Sequence, residues 1–345
     1  MTARRDLPAN LPWVSIIVLH YSNYQDTIEC LDNLLKLEYA RFSMVVVDNH
    51  SPNNSLAYIK TWLLEGDFTG YDLKSKVEQL ETFQQHVIYG KGKDWDSVPS
   101  EKAFLTTIQV GENLGFAGGN NVGIDFALHH FSPDFVWLLN NDTVVAPNSL
   151  SELVHQAQAQ LGEGSNIGIW GSKLLYYHQP DTIQAIGGKL NLTTFTTSHL
   201  AQGLKDTPAN EEEYPNQDYV VGASLFVCRK FLEEVGLLSE EYFLYFEELD
   251  WAKRGQKAGF SLGYVAASKV YHKEGASIGS NSVGRQKSDL ADYHGIRSKI
   301  IFFKKFYPEK SLHLYTWLLA SVFLRLGRGQ FKRAFRVLSL LHRTK

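Results

Sequence analysis

The sequence predicts an α/β fold: a mostly parallel central sheet flanked by helices, followed by a helical C-terminal tail. Three observations predict it. Residues 14–19 (VSIIVL) and 44–47 (MVVV) are continuous apolar runs rich in β-branched side chains, the mark of strands buried on both faces. Residues 27–37, with Ile28, Leu31, Leu34 and Leu35, and residues 55–64 follow them with helical spacing. The resulting β-α-β-α order implies parallel strands, with ligand-binding groups gathered at their carboxyl ends.

The remaining elements follow in order. Residues 65–104 are polar, contain GKGKDWD and show weak periodicity, which predicts an insertion of loop and irregular helix. Residues 105–110 resume strand character. Residues 111–121 form a glycine/asparagine loop, and residues 121–129 a helix. Residues 134–139 (DFVWLL) are a further buried strand, and residues 147–161 a helix. Residues 167–175, 183–190 and 219–228 are strands, and 229–235 starts a helix. Residues 248–258 form a short helix ended by Gly259, and 262–265 the last strand. No internal repeat or low-complexity tract is present.

Composition narrows the class. The 345 residues are 44% hydrophobic and 21% charged, which excludes a disordered, collagen-like or coiled-coil chain. Two cysteines, Cys30 and Cys228, exclude a disulfide framework and a cysteine zinc site, and point to a reducing, cytoplasmic setting. The net charge of −3 is unevenly spread. Residues 297–345 hold twelve lysines and arginines against one acid, Glu309, a formal +11 that leaves −14 on the rest. An acidic body with a basic tail is not a nucleic-acid-binding body. Residues 14–19 are too short for a signal-peptide core. No window reaches the ~18–20 apolar residues of a bilayer span; the nearest, 312–326, is interrupted by His313 and Arg325.

Five groups carry chemistry. Asp48, at a strand end, can accept hydrogen bonds from a nucleobase or ribose, or cap the turn D-N-H-S. Residues 112–121 (ENLGFAGGNN) place six Gly/Asn within nine residues; they allow close backbone approach to a ligand, and the following helix offers free N–H groups to an anion. Asn140, Asn141 and Asp142 end a strand, where a carboxylate suits a hard divalent cation shared with phosphate oxygens, or a helix cap. Glu247, Glu248 and Asp250 open a helix beside Arg254. Acids favour helix starts by themselves, but the aromatic flank YFLYF allows a partly buried general base. His272, in VYHKEGAS, is placed to ligate a metal through a neutral imidazole.

Taken in order, these pieces resemble the inverting family 2 glycosyltransferases, in particular their rhamnosyltransferase-like branch. The resemblance runs over roughly residues 14–297. It rests on VSIIVLHYSN, VVVDNHS, ENLGFAGGNN, WLLNNDTVV, VGASLFVCRK, YFLYFEELDWAKRGQKAGF and VYHKEGAS. It implies a GT-A fold over residues 1–296, a Rossmann-like nucleotide-binding half joined to an acceptor-binding half, with 65–104 inserted and 297–345 as a basic amphipathic tail.

It also implies roles. Tyr21 and Asp48 match positions that hold the nucleoside. Asn113 and the loop through Gly115, Gly118 and Asn121 match the donor-binding loop. Asn141 is a substrate contact, and Asp142 and His272 the metal contacts for Mg²⁺ or Mn²⁺. Glu248 matches the catalytic base, with Glu247 and Asp250 as alternatives; Asp250 is grouped with it as catalytic, and Arg254 as a substrate contact supporting the same helix. Two departures stand out. Asn140 replaces the acid that begins the family's D-x-D motif, and Glu247-Glu248 replaces its Glu-Asp.

The implied reaction transfers a sugar, rhamnose being one candidate, from a nucleoside-diphosphate-sugar. The acceptor is a hydroxyl of a bacterial cell-surface glycan or a lipid-linked molecule, in polysaccharide or cell-wall biosynthesis. Two other classes compete. One is a non-catalytic carbohydrate- or partner-binding protein on the same fold. The other is a nucleotide-dependent oxidoreductase, against which the absence of G-x-G-x-x-G after the first strand argues.

The tail adds a partner. Residues 311–326 are a mostly apolar helix. Residues 330–343 place Phe331, Phe335, Leu338 and Leu341 on one face, and Arg325, Arg328, Lys332 and Arg336 form a basic stripe. Such a helix reads as a peripheral element on an anionic membrane, here the inner face of the plasma membrane, or as an oligomer contact.

Overall fold

The computed structural model describes residues 11–68, 70–71, 82–89, 95, 103–208, 216–274 and 288–343. The chain opens with β1 (Val14–His20), α1 (Tyr24–Leu34), β2 (Phe42–Asp48) and α2 (Ser55–Glu65). Then come β3 (Thr82–Ile88), β4 (Ala103–Gln109), α3 (Gly115–His130), β5 (Phe135–Asn140), β6 (Thr143–Val145) and α4 (Ser149–Gly162). The second half holds β7 (Ile167–Tyr176), β8 (Gln179–Ala185), β9 (Gly188–Asn191), β10 (Thr196–His199), β11 (Ser224–Cys228) and α5 (Arg229–Val235). It closes with α6 (Glu247–Lys257), β12 (Ser261–His272), α7 (Asp289–Phe306), α8 (Ser311–Gly327) and α9 (Phe331–Arg343).

One sheet runs in the order β3-β4-β2-β1-β5-β11-β7-β12-β6, with β8 paired to β7; β9 and β10 form a small ribbon. Val14 of β1 lies opposite both Phe42 of β2 and Phe135 of β5, in parallel register. β11 is inserted antiparallel between β5 and β7, and β12 returns parallel to β7. Successive strands depart to opposite sides of β1, so a crevice opens beyond the carboxyl ends of β1 and β5. β2 is buried at every residue, as its unbroken apolar run requires. The fold is the expected mostly parallel sheet covered by helices.

Several local expectations change: the strand expected over 183–190 is split between β8 and β9, which belong to different sheets, the last strand runs over Ser261–His272, and three further differences bear on the site. Within 65–104, Thr82–Ile88 is a strand paired in parallel to β4. It escaped notice because it is the sheet edge: Val87 is buried but Ile88 is exposed, so the segment stays polar. The rest of GKGKDWD, apart from Trp95, lies outside the described residues, as do residues 275–287.

Most of the expected 111–121 loop is the first half of helix α3, which starts at Gly115. Glycine disfavours helix by ~1 kcal/mol, but packing overrides propensity here. A Cβ on Gly119 would meet Leu19 Cδ1 at 2.4 Å, and one on Gly123 would meet Ile17 Cγ2 at 2.5 Å. The glycines let α3 lie directly on β1. Third, the strand expected over 219–228 begins only at Ser224. Its apolar first half instead joins Tyr219 to Gly188 by a single bridge and contributes to the cavity described below.

A second core joins the C-terminal helices to α6. Phe246, Leu249 and Ala252 pack with Ile300, Phe303, Leu314, Leu318, Val322, Ala334 and Val337. α7 runs continuously across residues 296 and 297, so the basic segment is a helical extension of the body.

Candidate active site

A cavity of about 450 Å³ opens at the carboxyl ends of β1, β5 and β12 and is closed on one side by the start of α6. Its wall includes Tyr21, Asn49, Asn113 and Gly115, then Asn140, Asn141, Asp142 and His272, and Glu247 and Glu248 from the start of α6. Asp142, His272 and Glu248 therefore share one space.

The strand-end side is held by Asn49. Its Nδ2 donates to Asn113 Oδ1 and to the Gly115 carbonyl, both at 3.0 Å, and its Oδ1 accepts from Leu114 N at 2.9 Å. Asn113 Oδ1 also accepts from Gly115 N at 2.9 Å. Asp48, one residue earlier, does not line the cavity. Strand alternation turns its carboxylate the other way, where Oδ1 accepts from Ser51 N and Ser51 Oγ at 3.2 and 2.5 Å. His20 lies 4.0 Å from Asp48; burial lowers its pKa to about 4, so it stays neutral between Thr27 and Ser55.

The loop leading to α6 is anchored to α3. Phe116 N donates to the Phe243 carbonyl at 2.9 Å. Gly115, at φ +71°, makes this possible: a Cβ there would sit 2.3 Å from Phe243 O. Asn121 donates to Leu238 O and Glu240 and accepts from Leu238 N, and Gly118 packs on Leu114. Gly118 and Asn121 thus hold the loop rather than face the cavity. Tyr245 and Phe246 are both left-handed, at φ +68° and +71°. Two successive non-glycine residues in that region are strained, and together they aim the first turn of α6 into the cavity.

Three carboxylates in that turn have different surroundings. Asp250 is fully buried and bonded on both oxygens: Arg254 Nε at 2.6 Å, Lys305 Nζ at 2.8 Å and Tyr242 Oη at 3.0 Å all donate to it. Arg254 also donates to the Val235 and Leu237 carbonyls at 2.8 and 2.7 Å. Neither residue lines the cavity; both brace α6. Glu248 faces the cavity, and burial pushes its carboxyl up to about 7. Glu247 is also in the wall; burial, then the neighbouring Glu248, raises it well above the ordinary carboxylate range, and its Oε2 has no hydrogen-bond partner.

In the same cavity, Asp142 Oδ1 lies 3.1 Å from His272 Nε2. His272 Nδ1 donates to Gln184 Oε1 at 3.0 Å, which turns the lone pair of Nε2 toward Asp142 and toward Asn140 Nδ2, 3.4 Å away. Two acceptor atoms facing each other need a proton or a cation between them, and a separation near 3 Å suits adjacent ligands of a small octahedral ion. When the proton lies on His272 Nε2, the imidazolium more than offsets burial and holds the Asp142 carboxyl below the ordinary range, while Asp142 raises His272. Among the described residues no group of three or more His, Cys, Asp or Glu converges, so a cation here would take its other ligands from substrate and water. Asn141 lines the floor but its Nδ2 is turned to Thr27 Oγ1 at 2.9 Å.

Several wall residues had no sequence signal of their own: Asn49, Phe116, His199, Tyr219, Phe243 and Glu274. They come from separate elements; Asn49, Phe116, Phe243 and Glu274 lie within the motifs quoted above without individual roles, whereas His199 and Tyr219 lie outside them.

No family model matches the chain. It is similar to the low-salt glycan biosynthesis hexosyltransferase Agl10 of Haloferax volcanii, 25% identical over 170 residues, which are 48% of this chain and 51% of that protein. It is also similar to the N-acetylglucosaminyl-diphospho-decaprenol L-rhamnosyltransferase of Mycobacterium tuberculosis, 34% identical over 84 residues, 24% of this chain and 25% of that one. The chain thus spans about half the length, or less, of these curated relatives. Among solved structures, GalNAc-T7 with UDP, GalNAc and Mn²⁺ superposes with a TM-score of 0.54 at 14% identity, covering 84% of this chain and 48% of that one. In sequence the chain is related to glycosyltransferases of the family 2 type, and its fold is the GT-A fold.

Proposed function

We propose that this chain is an inverting glycosyltransferase that moves a sugar from a nucleoside-diphosphate-sugar to a hydroxyl of a glycan or lipid-linked acceptor. The observation that carries this reading is one cavity holding both a carboxyl with a pKa near 7, Glu248, and the Asp142–His272 pair. Tyr21, Asn49 and Asn113 receive the nucleoside side of the donor. Asp142 and His272 would hold Mg²⁺ or Mn²⁺, which supplies charge neutralisation for the departing diphosphate. Glu248 accepts the proton of the acceptor hydroxyl as its oxygen bonds to the anomeric carbon. The bond from that carbon to the diphosphate breaks, and its electron pair leaves with the diphosphate. One displacement inverts the anomeric centre.

A carboxyl near pKa 7 is matched to this task, because about half of it is ionised at neutral pH and it is basic enough to drive transfer. The names of the relatives support the substrate class: one is a hexosyltransferase of glycan biosynthesis, and the other acts on a diphospho-decaprenol-linked sugar with L-rhamnose as the transferred group. Rhamnose nucleotides are therefore the first donors to test. The test is donor turnover with Mg²⁺ or Mn²⁺ by wild type and Glu248→Gln. Equal transfer by both would remove Glu248 from the chemistry.

A further inference from the structure

The hairpin of α8 and α9 carries two apolar faces where a docked helix needs one. Its inner face, Leu314, Leu318 and Val322 with Ala334, Val337 and Leu340, fills the second core. Its outer face is open. Of twelve large hydrophobic side chains exposed among the described residues, seven lie on these two helices. Phe323, Phe331 and Phe335 are 71%, 58% and 65% exposed. Leu312, Leu319 and Phe323 follow at seven- and four-residue steps on α8, and Phe331, Phe335 and Leu338 at four- and three-residue steps on α9, so each set forms one stripe. An apolar surface of this concentration marks a docking face.

Charge selects the occupant. No acidic residue follows Glu309. Arg325 is paired with Asp292, and Arg333 and Arg336 with Asp289, all through the start of α7. Arg328 and Lys332 are exposed at the turn beside Phe331, Lys332 adding to the positive charge around Asp289. A second copy of the chain would set this cationic surface against itself. An anionic bilayer instead accepts phenylalanine and leucine at the acyl boundary and lysine and arginine at the headgroups. No helix among the described residues is long and apolar enough to cross a membrane, so the contact is one of surface docking.

The surface is tied to the cavity. Asp289, which holds Arg333 and Arg336 of α9, adjoins Leu290, an exposed residue that also lines the cavity. We propose that the α8–α9 hairpin docks on an anionic lipid bilayer and sets the Leu290 rim of the cavity against it, so that the acceptor hydroxyl arrives on a lipid-anchored molecule. The role given to the acceptor rests on the glycosyltransfer reading; the docking does not.

The test is co-sedimentation of the whole chain with phosphatidylcholine vesicles, with and without phosphatidylglycerol. Wild type, Phe331→Ser/Phe335→Ser and Arg328→Glu/Lys332→Glu are compared, with thermal midpoint and sugar-nucleotide binding measured on the same samples. Wild type is expected to bind only the anionic vesicles and to be released by salt. Each double variant should bind roughly tenfold more weakly while its midpoint and nucleotide binding stay unchanged. Equal vesicle binding by all three proteins overturns the proposal. So does a wild-type dimer in light scattering that the phenylalanine variant dissociates while vesicles leave the protein in solution. Vesicle binding that persists in a protein without affinity for sugar nucleotides upholds the docking and defeats the transfer reading instead.

Discussion

At the corner of the cavity built by β5 and β12, Asp142 meets His272 at 3.1 Å and its carboxyl is held below the ordinary range. In the part of the wall built by the start of α6, Glu247 and Glu248 are neighbours, and burial raises both. The same space thus holds a carboxylate stabilised as an anion and a carboxyl poised to exchange a proton. Neighbouring titratable groups pushed apart by environment are how acid and base roles are divided within one site. The contrast extends along α6 itself. Two residues beyond Glu248, Asp250 is held by Arg254, Lys305 and Tyr242 and does not line the cavity.

The largest effect should come from removing the proton acceptor. Glu248→Gln is expected to lower kcat by ~10²–10⁴-fold, the usual worth of a general base, while donor affinity stays near wild type. Isothermal titration with a sugar nucleotide, alongside initial rates, separates the two readouts; lost affinity with retained kcat would reverse the roles given to the two corners.

Breaking the locked carboxylate should act on stability. Asp250→Ala leaves Arg254 and Lys305 without their shared anion, a change expected to cost about 3–5 kcal/mol. Chemical denaturation reads it. If Asp250→Ala kept its unfolding midpoint but lost turnover, Asp250 would be the base.

At the other corner, Asp142→Asn should weaken metal-stimulated transfer by roughly 10–100-fold. Chelation of the wild type should have a similar effect, and chelation should add little in the variant. Additive losses would show that Asp142 does not serve a cation.

The smallest effect is one of pH. Glu248 is raised in the folded state from an ordinary carboxylate value near 4.5 to about 7. The folded chain therefore binds more protons than the unfolded chain between these values, and this group's contribution to stability falls as pH rises through that window. Glu248→Gln should be more stable than wild type above pH 7, by on the order of 1–3 kcal/mol, and show no such gain below about pH 4.5. Activity should run the opposite way, rising as pH passes about 7. Parallel thermal melts and rate profiles across pH check both.

Legibility in the sequence followed locality. β1, β2 and β5 were visible because strands buried on both faces must be apolar throughout. β3 was not, because an edge strand needs only one buried face. α3 was read as a loop through residue 121 because its glycines oppose helix; the contacts of Gly119 with Leu19 and of Gly123 with Ile17, which reverse that preference, lie a hundred residues away. Asp48 and Asn49 are neighbours in one motif, yet alternation sends one to Ser51 and the other to Asn113.

By itself the sequence determined the order of strands and helices and the presence of acids at their exits. Both follow from side-chain periodicity within a few turns of chain. Which of Glu247, Glu248 and Asp250 can take a proton was decided only by tertiary structure. Lys305 comes from α7 to pair with Asp250, Gly115 admits the strained loop that aims α6, and burial raises the two glutamates. A carboxyl's proton affinity is set by the solvent and charges around it, and those arrive from chain that is distant in sequence.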